Sequence, residues 1–334
     1  MRSRAYWIFV ALCTLCSILV FRVFWEVRVH FNNEPLFVSH ALDFADDDDR
    51  RPLGESFQDE SACAIESVPY IIHQTYKTAQ IPEQWLEAQH SCQKLHQTGW
   101  QHMFWTDEDA DNFLAIHYPW FLPTYRAYPY DIQRADVIRY FVLYHFGGVY
   151  LDLDVGCQKP LDPLLAYGAL LPKTLPVGVS NDVMISPARH PFFAMVIEDL
   201  LHDDSIYWGP KYSTVLFSTG SMFVTMEVSQ YWKEQTLNSS YDTSQSTNSC
   251  LRDASVLIIP TRYYEADLDS FFLHFPGSSW HSVDVRVVSY IITKKEIFLL
   301  LSVLALALGA LIRIRLRGRA IRPSKMTYHE MQPM

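Results

Sequence analysis

Gly147-Gly148-Val149-Tyr150-Leu151-Asp152-Leu153-Asp154 is the stretch whose reading decides the fold. Before it, after Pro129, the spacing of Ile132, Ala135, Ile138 and Val142 predicts a helix over about Asp131 to His145 with one buried stripe. Asp136 and Arg139 are three apart and share a face of that helix, the arrangement of an intrahelical ion pair. Gly147-Gly148 ends it as glycine C-caps do. Val149 to Asp154 then reads as a strand. Residues two apart in a strand point to one face, so Asp152 and Asp154 aim both carboxylates at one spot while Leu151 and Leu153 pack on the other face. In open α/β sheets, ligands bind beyond the carboxyl ends of the strands. Two carboxylates there suit Mn²⁺ or Mg²⁺, which use few protein ligands and leave positions for phosphate oxygens.

The flanking segments alternate strand and helix, the pattern of an α/β domain with a mostly parallel sheet. Val68 to Ile72 reads as a strand running into His73-Gln74-Thr75. Pro82 to about His96 reads as a helix, with Trp85, Ala88, Cys92 and Leu95 at three-and-four spacing. Trp100 to Trp105 is a second strand, and Thr106 caps a helix with acids in its first turn. Asp107 and Asp109 form a rival metal pair, but no glycine or glutamate stands where a calcium loop needs it, and capping is the better reading. Later strands are expected around Val177-Val179, Met184-Ile185, Ser221-Thr225 and Val256-Ile259. Asn238 to Ser249, rich in Ser, Thr and Asn, reads as a loop.

The 334 residues carry a net charge of -10, and no basic stripe of the kind nucleic-acid binding needs is present. Tyr6 to Trp25 is apolar over about 20 residues, the length of a membrane span rather than of a signal-peptide core. Trp7 and Trp25 sit at its ends, where interfacial aromatics belong. Ile297 to Ile312 is a second apolar segment, extended by the snorkelling lysines Lys294 and Lys295. Arg313, Arg315, Arg317, Arg319, Arg322 and Lys325 follow it, which places that tail in the cytosol by the positive-inside rule. Two spans then put both termini in the cytosol and the middle of the chain in the lumen. The expected organisation is residues 1–28 as N-terminus and anchor, 29–66 as a solvated stem, 67–290 as catalytic domain, 291–316 as second span and 317–334 as basic tail. A luminal middle agrees with the sequon Asn238-Ser239-Ser240 and with four cysteines outside the spans: Cys63, Cys92, Cys157 and Cys250. These four allow three pairings, with Cys157 the foremost candidate for a free thiol.

Four tracts together resemble glycosyltransferase family 32: Ile71-Ile72-His73-Gln74-Thr75, Phe104-Trp105-Thr106-Asp107, Ala135-Asp136-Val137-Ile138-Arg139-Tyr140, and Gly147 to Asp154. Their order and spacing match over roughly residues 68–165. Within that family, Gly156 to Leu165, His274-Phe275-Pro276-Gly277-Ser278-Ser279-Trp280-His281 and the paired end segments are most similar to the fungal mannosyl inositol phosphorylceramide synthases.

The resemblance implies a GT-A fold, GDP-mannose as donor, retention of the α configuration, a membrane sphingolipid acceptor in the Golgi and a separate membrane-embedded regulatory subunit. It implies Asp152 and Asp154 as metal ligands, His274 as a further candidate ligand, and Asp136 and Arg139 at the donor sugar and phosphate. Thr75 and Trp105 would line the nucleotide pocket, Trp280 would close over the diphosphate, and Asp182 would orient the acceptor hydroxyl. The rival readings are a Golgi α-mannosyltransferase acting on protein-linked glycans and a non-catalytic homologue serving as a complex subunit. A metal-dependent hydrolase would need histidine clusters that the sequence lacks.

Overall fold

The computed structural model describes residues 37, 39–42, 67–175, 178–202, 211–241 and 254–277, with the side chains of 202 and 238–241 left aside. The two apolar end segments, the basic tail, Cys63, Cys250 and Trp280 lie outside the described residues. Among those described, no helix is long and apolar enough to cross a membrane.

Strand β1 (Ile71–Thr75) is followed by α1 (Glu83–Leu95), β2 (Gln101–Trp105), α2 (Asp107–His117), α3 (Leu122–Ala127) and α4 (Asp131–Phe146). Then come β3 (Gly148–Leu151), β4 (Val155–Cys157), a 3-10 turn over Asp162–Ala166, β5 (Ala169–Pro172) and β6 (Val183–Ser186). The chain continues through α5 (Pro191–His202), α6 (Lys211–Ser218), α7 (Ser221–Tyr241), β7 (Val256–Ile259), α8 (Thr261–Tyr264) and β8 (Phe272–His274). The main sheet has the order β2-β1-β3-β6-β5-β7. Its β1–β2, β1–β3 and β5–β7 pairs are parallel, and β6 runs antiparallel to both β3 and β5. The expected mixed, mostly parallel sheet flanked by helices is therefore present. A separate two-stranded ladder pairs β4 with β8.

Strand alternation divides the interior into two cores. Tyr150, Met184, Leu171 and Ile258 face one, packed by α2, α4, α5 and α7. Val149, Leu151, Ile185 and Leu170 face the other, with Cys92 of α1 and Tyr264 of α8. The helix α4 is enclosed on all sides from Asp136 to Leu143, so its expected single stripe is too narrow. A helix apolar all round belongs inside a domain, and Val137, Tyr140, Phe141 and Leu143 complete that pattern here. Gly147 and Gly148 both take positive φ, and a β-carbon on Gly148 would stand 2.6 Å from the Ile71 carbonyl oxygen.

Several expectations need correction. Ser221-Thr225 opens α7 and is not a strand, because its apolar residues continue at helical spacing through Val228, Tyr231 and Trp232. The same helix runs through Asn238 to Tyr241, so the expected loop starts later. The first strand begins at Ile71, with Val68 to Tyr70 ahead of it. Of Val177-Val179, Val179 makes only an isolated bridge to Lys173, and Val177 lies outside the described residues. The stem is not solvated throughout: Phe37 packs edge-on to Trp232 at 5.3 Å, His40 stacks on it at 4.1 Å, and Ala41 bridges Ile258 at the sheet edge. Burying the Phe37 ring removes it from water, which a fully exposed spacer forgoes. Cys157 is not a free thiol, since it is bonded to Cys92.

Candidate active site

A cleft of about 540 Å³ opens at the carboxyl ends of β1, β2 and β3. Thr75, Tyr76 and Lys77 form one wall, and Tyr130, Asp131, Ile132, Ala135 and Arg139 at the start of α4 form another. Asp152, Leu153 and Asp154 border it beyond β3. The expected strand does not reach the acidic pair. It ends at Leu151, and Asp152 to Asp154 form a turn closed by the Val155 N–H donating to the Asp152 carbonyl at 3.0 Å. The same-face argument therefore does not apply; the turn, not the pleat, brings both carboxylates to the cleft.

The antiparallel partner explains how Asp182 arrives there. Leu151 pairs with Val183, so the residue preceding β6 lies beside the residue following β3. The Asp152 N–H donates to the Asp182 carbonyl at 2.8 Å. Asp182 Oδ2 accepts from the Tyr264 hydroxyl at 2.6 Å, and Oδ1 is buried without a partner. Burial, together with the charge of Asp182, raises the pKa of Asp154. Burial pushes Asp152 up to about 7; Arg139 opposes this, while Asp154 and Asp182 add to it.

Arg139 is 3% exposed and is held on several sides. Its Nε donates to the Ala135 carbonyl at 3.2 Å and Nη1 to the Asn181 carbonyl at 2.7 Å. Nη1 lies 3.2 Å from Asp152 Oδ1 and Nη2 3.1 Å from Asp136 Oδ1. The guanidinium stands over the Tyr150 ring at 4.8 Å, and the Tyr150 hydroxyl donates to Asp152 Oδ1 at 2.8 Å. Asp136 is 4% exposed and sits behind Arg139, where it also accepts from Asn181 Nδ2 at 3.1 Å and from the Thr219 hydroxyl at 3.0 Å. The expected donor contact by Asp136 gives way to a supporting one: it fixes Arg139, which fixes Asp152. Asn181, Thr219 and Tyr140 complete this network, with Asn181 Nδ2 donating to the Tyr140 hydroxyl at 2.9 Å. Sequence reasoning missed Thr219 and Tyr140, since the sequence carries no local mark of contacts across such separations.

Thr75 borders the cleft as expected, and its hydroxyl donates to the Trp105 carbonyl at 3.1 Å. Trp105 belongs to the core instead. It is buried against Phe113 and Phe146, and its Nε1–H donates to His73 Nδ1 at 3.1 Å. The rival pair Asp107 and Asp109 is disposed of by geometry. Asp109 turns back to accept from the Thr106 N–H and hydroxyl, completing a capping box, while Asp107 faces the cleft. His274 is exposed, and β8 places it beside Asp154 by pairing with Val155. Its Nε2 hydrogen-bonds to the Tyr264 carbonyl at 2.7 Å, which fixes the ring and leaves Nδ1 as the acceptor nitrogen. Among the described residues no three His, Cys, Asp or Glu side chains gather into a metal cage, so His274 does not complete a three-ligand set with the acidic pair. Asn238 falls in the last turn of α7.

The acidic centre has three carboxylates, Asp152, Asp154 and Asp182, faced by one guanidinium. Asp182 Oδ1 is orphaned, and all the donors offered are hard oxygens. Asp152 and Asp154, the two that border the cleft, fit a hard divalent cation whose remaining ligands come from a substrate. Residues 82–170 match the glycosyltransferase sugar-binding region containing the DXD motif. The chain is 36% identical over 278 residues to inositol phosphoceramide mannosyltransferase 1 of Schizosaccharomyces pombe, covering 80% of this chain and 81% of that protein. The chain belongs to the DXD-motif glycosyltransferase family. It is also 45% identical over 223 residues to inositol phosphoceramide mannosyltransferase 2 of the same yeast, a match covering 66% of this chain and 60% of that protein. A mannosyl phosphorylinositol ceramide synthase of Saccharomyces cerevisiae is 45% identical over 223 residues, covering 66% of this chain and 54% of the relative. This glycosyltransferase thus spans little more than half the length of those two relatives.

Proposed function

We propose that the chain transfers mannose from GDP-mannose to the inositol head group of inositol phosphorylceramide, with retention, in a GT-A-like domain. The observation that carries this reading is the acidic turn Asp152–Asp154 at the cleft beyond β3, backed by the buried Arg139. The names of the relatives quoted above support the acceptor. Asp152 and Asp154 would hold Mn²⁺ or Mg²⁺. When bound, that ion neutralises charge developing on the leaving diphosphate.

The chain's own residues then act by position and electrostatics. Arg139 and Tyr150 hold Asp152 in one orientation. Asp182 Oδ1 accepts a hydrogen bond from the incoming inositol hydroxyl, while Tyr264 holds Oδ2. The hydroxyl oxygen forms its bond to the anomeric carbon on the face from which the diphosphate departs, the carbon–phosphate oxygen bond breaks, and the hydroxyl proton passes to a leaving phosphate oxygen. GDP leaves, and no separate base is required. The apolar segments Tyr6–Trp25 and Ile297–Ile312 support a Golgi-membrane enzyme with its catalytic domain in the lumen, beside a lipid acceptor and a membrane-embedded regulatory subunit.

The test is a microsomal assay with GDP-mannose and inositol phosphorylceramide, with Mn²⁺, Mg²⁺ or chelator, followed by lipid mass spectrometry. Metal-dependent mannosylation of the lipid is expected. Transfer to protein glycans with none to the lipid would overturn the acceptor, and activity unaffected by chelator would overturn the metal.

A further inference from the structure

Trp85 on α1 looks in the sequence like an ordinary core residue, and at 6% exposed it is buried. Yet it borders the cleft, and its Nε1–H donates to the Pro276 carbonyl, 3.1 Å away and 191 residues along the chain. Pro276 belongs to the short segment after β8. In that segment the Phe275 N–H donates to the Asp154 carbonyl at 2.8 Å. Gly277 lies directly against the Asp154 side chain: a β-carbon built there would overlap Oδ2 and stand 2.8 Å from Cγ. On its other side Trp85 meets Tyr76 edge-on at 5.6 Å, so it also touches the β1 wall of the cleft. Helix α1 is itself bolted to β4 by the Cys92–Cys157 disulfide and by the Cys157 N–H donating to Ser91 Oγ at 2.9 Å. Trp85 therefore projects from a fixed helix.

We propose that Trp85 is a positioning residue: by holding the Pro276 carbonyl it seats Phe275–Gly277 on Asp154 and fixes that carboxylate for a divalent cation. This rests on the reading of Asp152 and Asp154 as cation ligands. The indole ring fills the wall, and the N–H does the positioning. Removing the N–H while keeping an aromatic ring separates the two.

The experiment is an Mn²⁺ titration of the purified full-length protein without donor, followed by electron paramagnetic resonance, for wild type, Trp85→Phe, Gly277→Ala and the double variant. One hydrogen bond of ordinary net strength corresponds to about a fivefold change. Trp85→Phe should raise the Mn²⁺ Kd about fivefold, and the apparent KM for Mn²⁺ should rise with it while kcat at saturating Mn²⁺ changes less. Gly277→Ala should raise the Kd as well, because its methyl group displaces Asp154, and the double variant should be little worse than the more severe single one. Should Trp85→Phe not yield folded protein, Gly277→Ala carries the test from the other side of the same contact. An unchanged Mn²⁺ Kd in folded Trp85→Phe, additive effects in the double variant, or an unchanged Kd in Gly277→Ala would overturn the proposal. Failure of the wild type itself to bind Mn²⁺, with GDP added as well as without it, would instead overturn the cation reading on which it rests.

Discussion

Replacing Arg139 by lysine keeps the charge and removes the fork, and it should be damaging. The guanidinium serves the Ala135 carbonyl, the Asn181 carbonyl, Asp152 and Asp136 at once. An ammonium is a single point with three donors and cannot stand within hydrogen-bond distance of every one of these acceptors. At least one of the Asp136 and Asp152 contacts is lost, along with the Nε bond. Asp136, being 4% exposed, has little water to replace it. Hydrogen bonds involving charged groups contribute roughly 1.5–3 kcal/mol each, and breaking a buried ion pair costs about 3–5 kcal/mol. Asn181 and Thr219 continue to serve Asp136, so the lower end, about 3 kcal/mol, is the expectation. For a domain of this size that lowers the Tm by roughly 6–12 °C. Thermal unfolding of the purified full-length protein by tryptophan fluorescence measures it, with mannose transfer assayed well below either midpoint. A cycle with Asp136→Asn should show coupling of at least about 1 kcal/mol. An Arg139→Lys protein within a degree of wild type, with normal transfer, would refute the view that this fork builds the site.

Three further outcomes are expected. Burial lowers the pKa of His73 to about 4, against the hydrogen bond from its Nε2 to the Gly147 carbonyl, so the fold keeps it neutral while the unfolded chain protonates near 6.5. Stability from this residue is thus full above about pH 6.5 and is lost as pH falls toward about 4, on the order of 3 kcal/mol in total; urea unfolding of His73→Gln should show a shallower acid decline than wild type. Trp105→Phe should cost about 2–3 kcal/mol through lost packing and the lost bond to His73, yet leave the KM for the donor unchanged, since Trp105 is core and not pocket. Reduction of Cys92–Cys157, which closes a loop with a sequence separation of 65, should lower stability by up to about 4 kcal/mol in the chain-entropy account; peptide mapping before and after thiol treatment, beside urea unfolding, checks both the pairing and the loss.

What the sequence revealed best was whatever is local. The capped start of α2, the helix α4 and the paired glycines at the junction of α4 with β3 are set by neighbours a few residues apart, and they appear where expected. Asp152 and Asp154 were legible for the same reason, although the pleat invoked for them stops at Leu151. What failed was whatever depends on a distant partner. Asp136 and Arg139 read in sequence as an i,i+3 pair that the resemblance puts at the donor, with nothing local to show that the pair is buried. The signal that could have corrected this was the apolar run on every face of α4, which places the pair inside the domain. Trp85 with Pro276, Cys92 with Cys157 and Asp136 with Thr219 are joined across 65 to 191 residues, and no periodicity encodes such contacts. Ser221-Thr225 was misread because the short apolar run Met222-Phe223-Val224 between polar residues fits a strand, while the full helix shows itself only over a longer window.

The two aspartates of the motif are not equivalent, and the difference follows from their supports. Asp152 is neutralised on one side by Arg139 and accepts from Tyr150, both core residues of elements that cross the domain. Its orientation is therefore set by the same packing that stabilises the fold. Asp154 is reached by the backbone of Phe275–Gly277 and by the repulsion of Asp182, and among the described residues it makes no ion pair as close as that of Asp152 with Arg139. Its position depends on a segment far along the chain. One carboxylate is built into the core and the other is adjusted from outside it. This is why the positioning residue lies on α1, near Asp154, and not among the partners of Arg139.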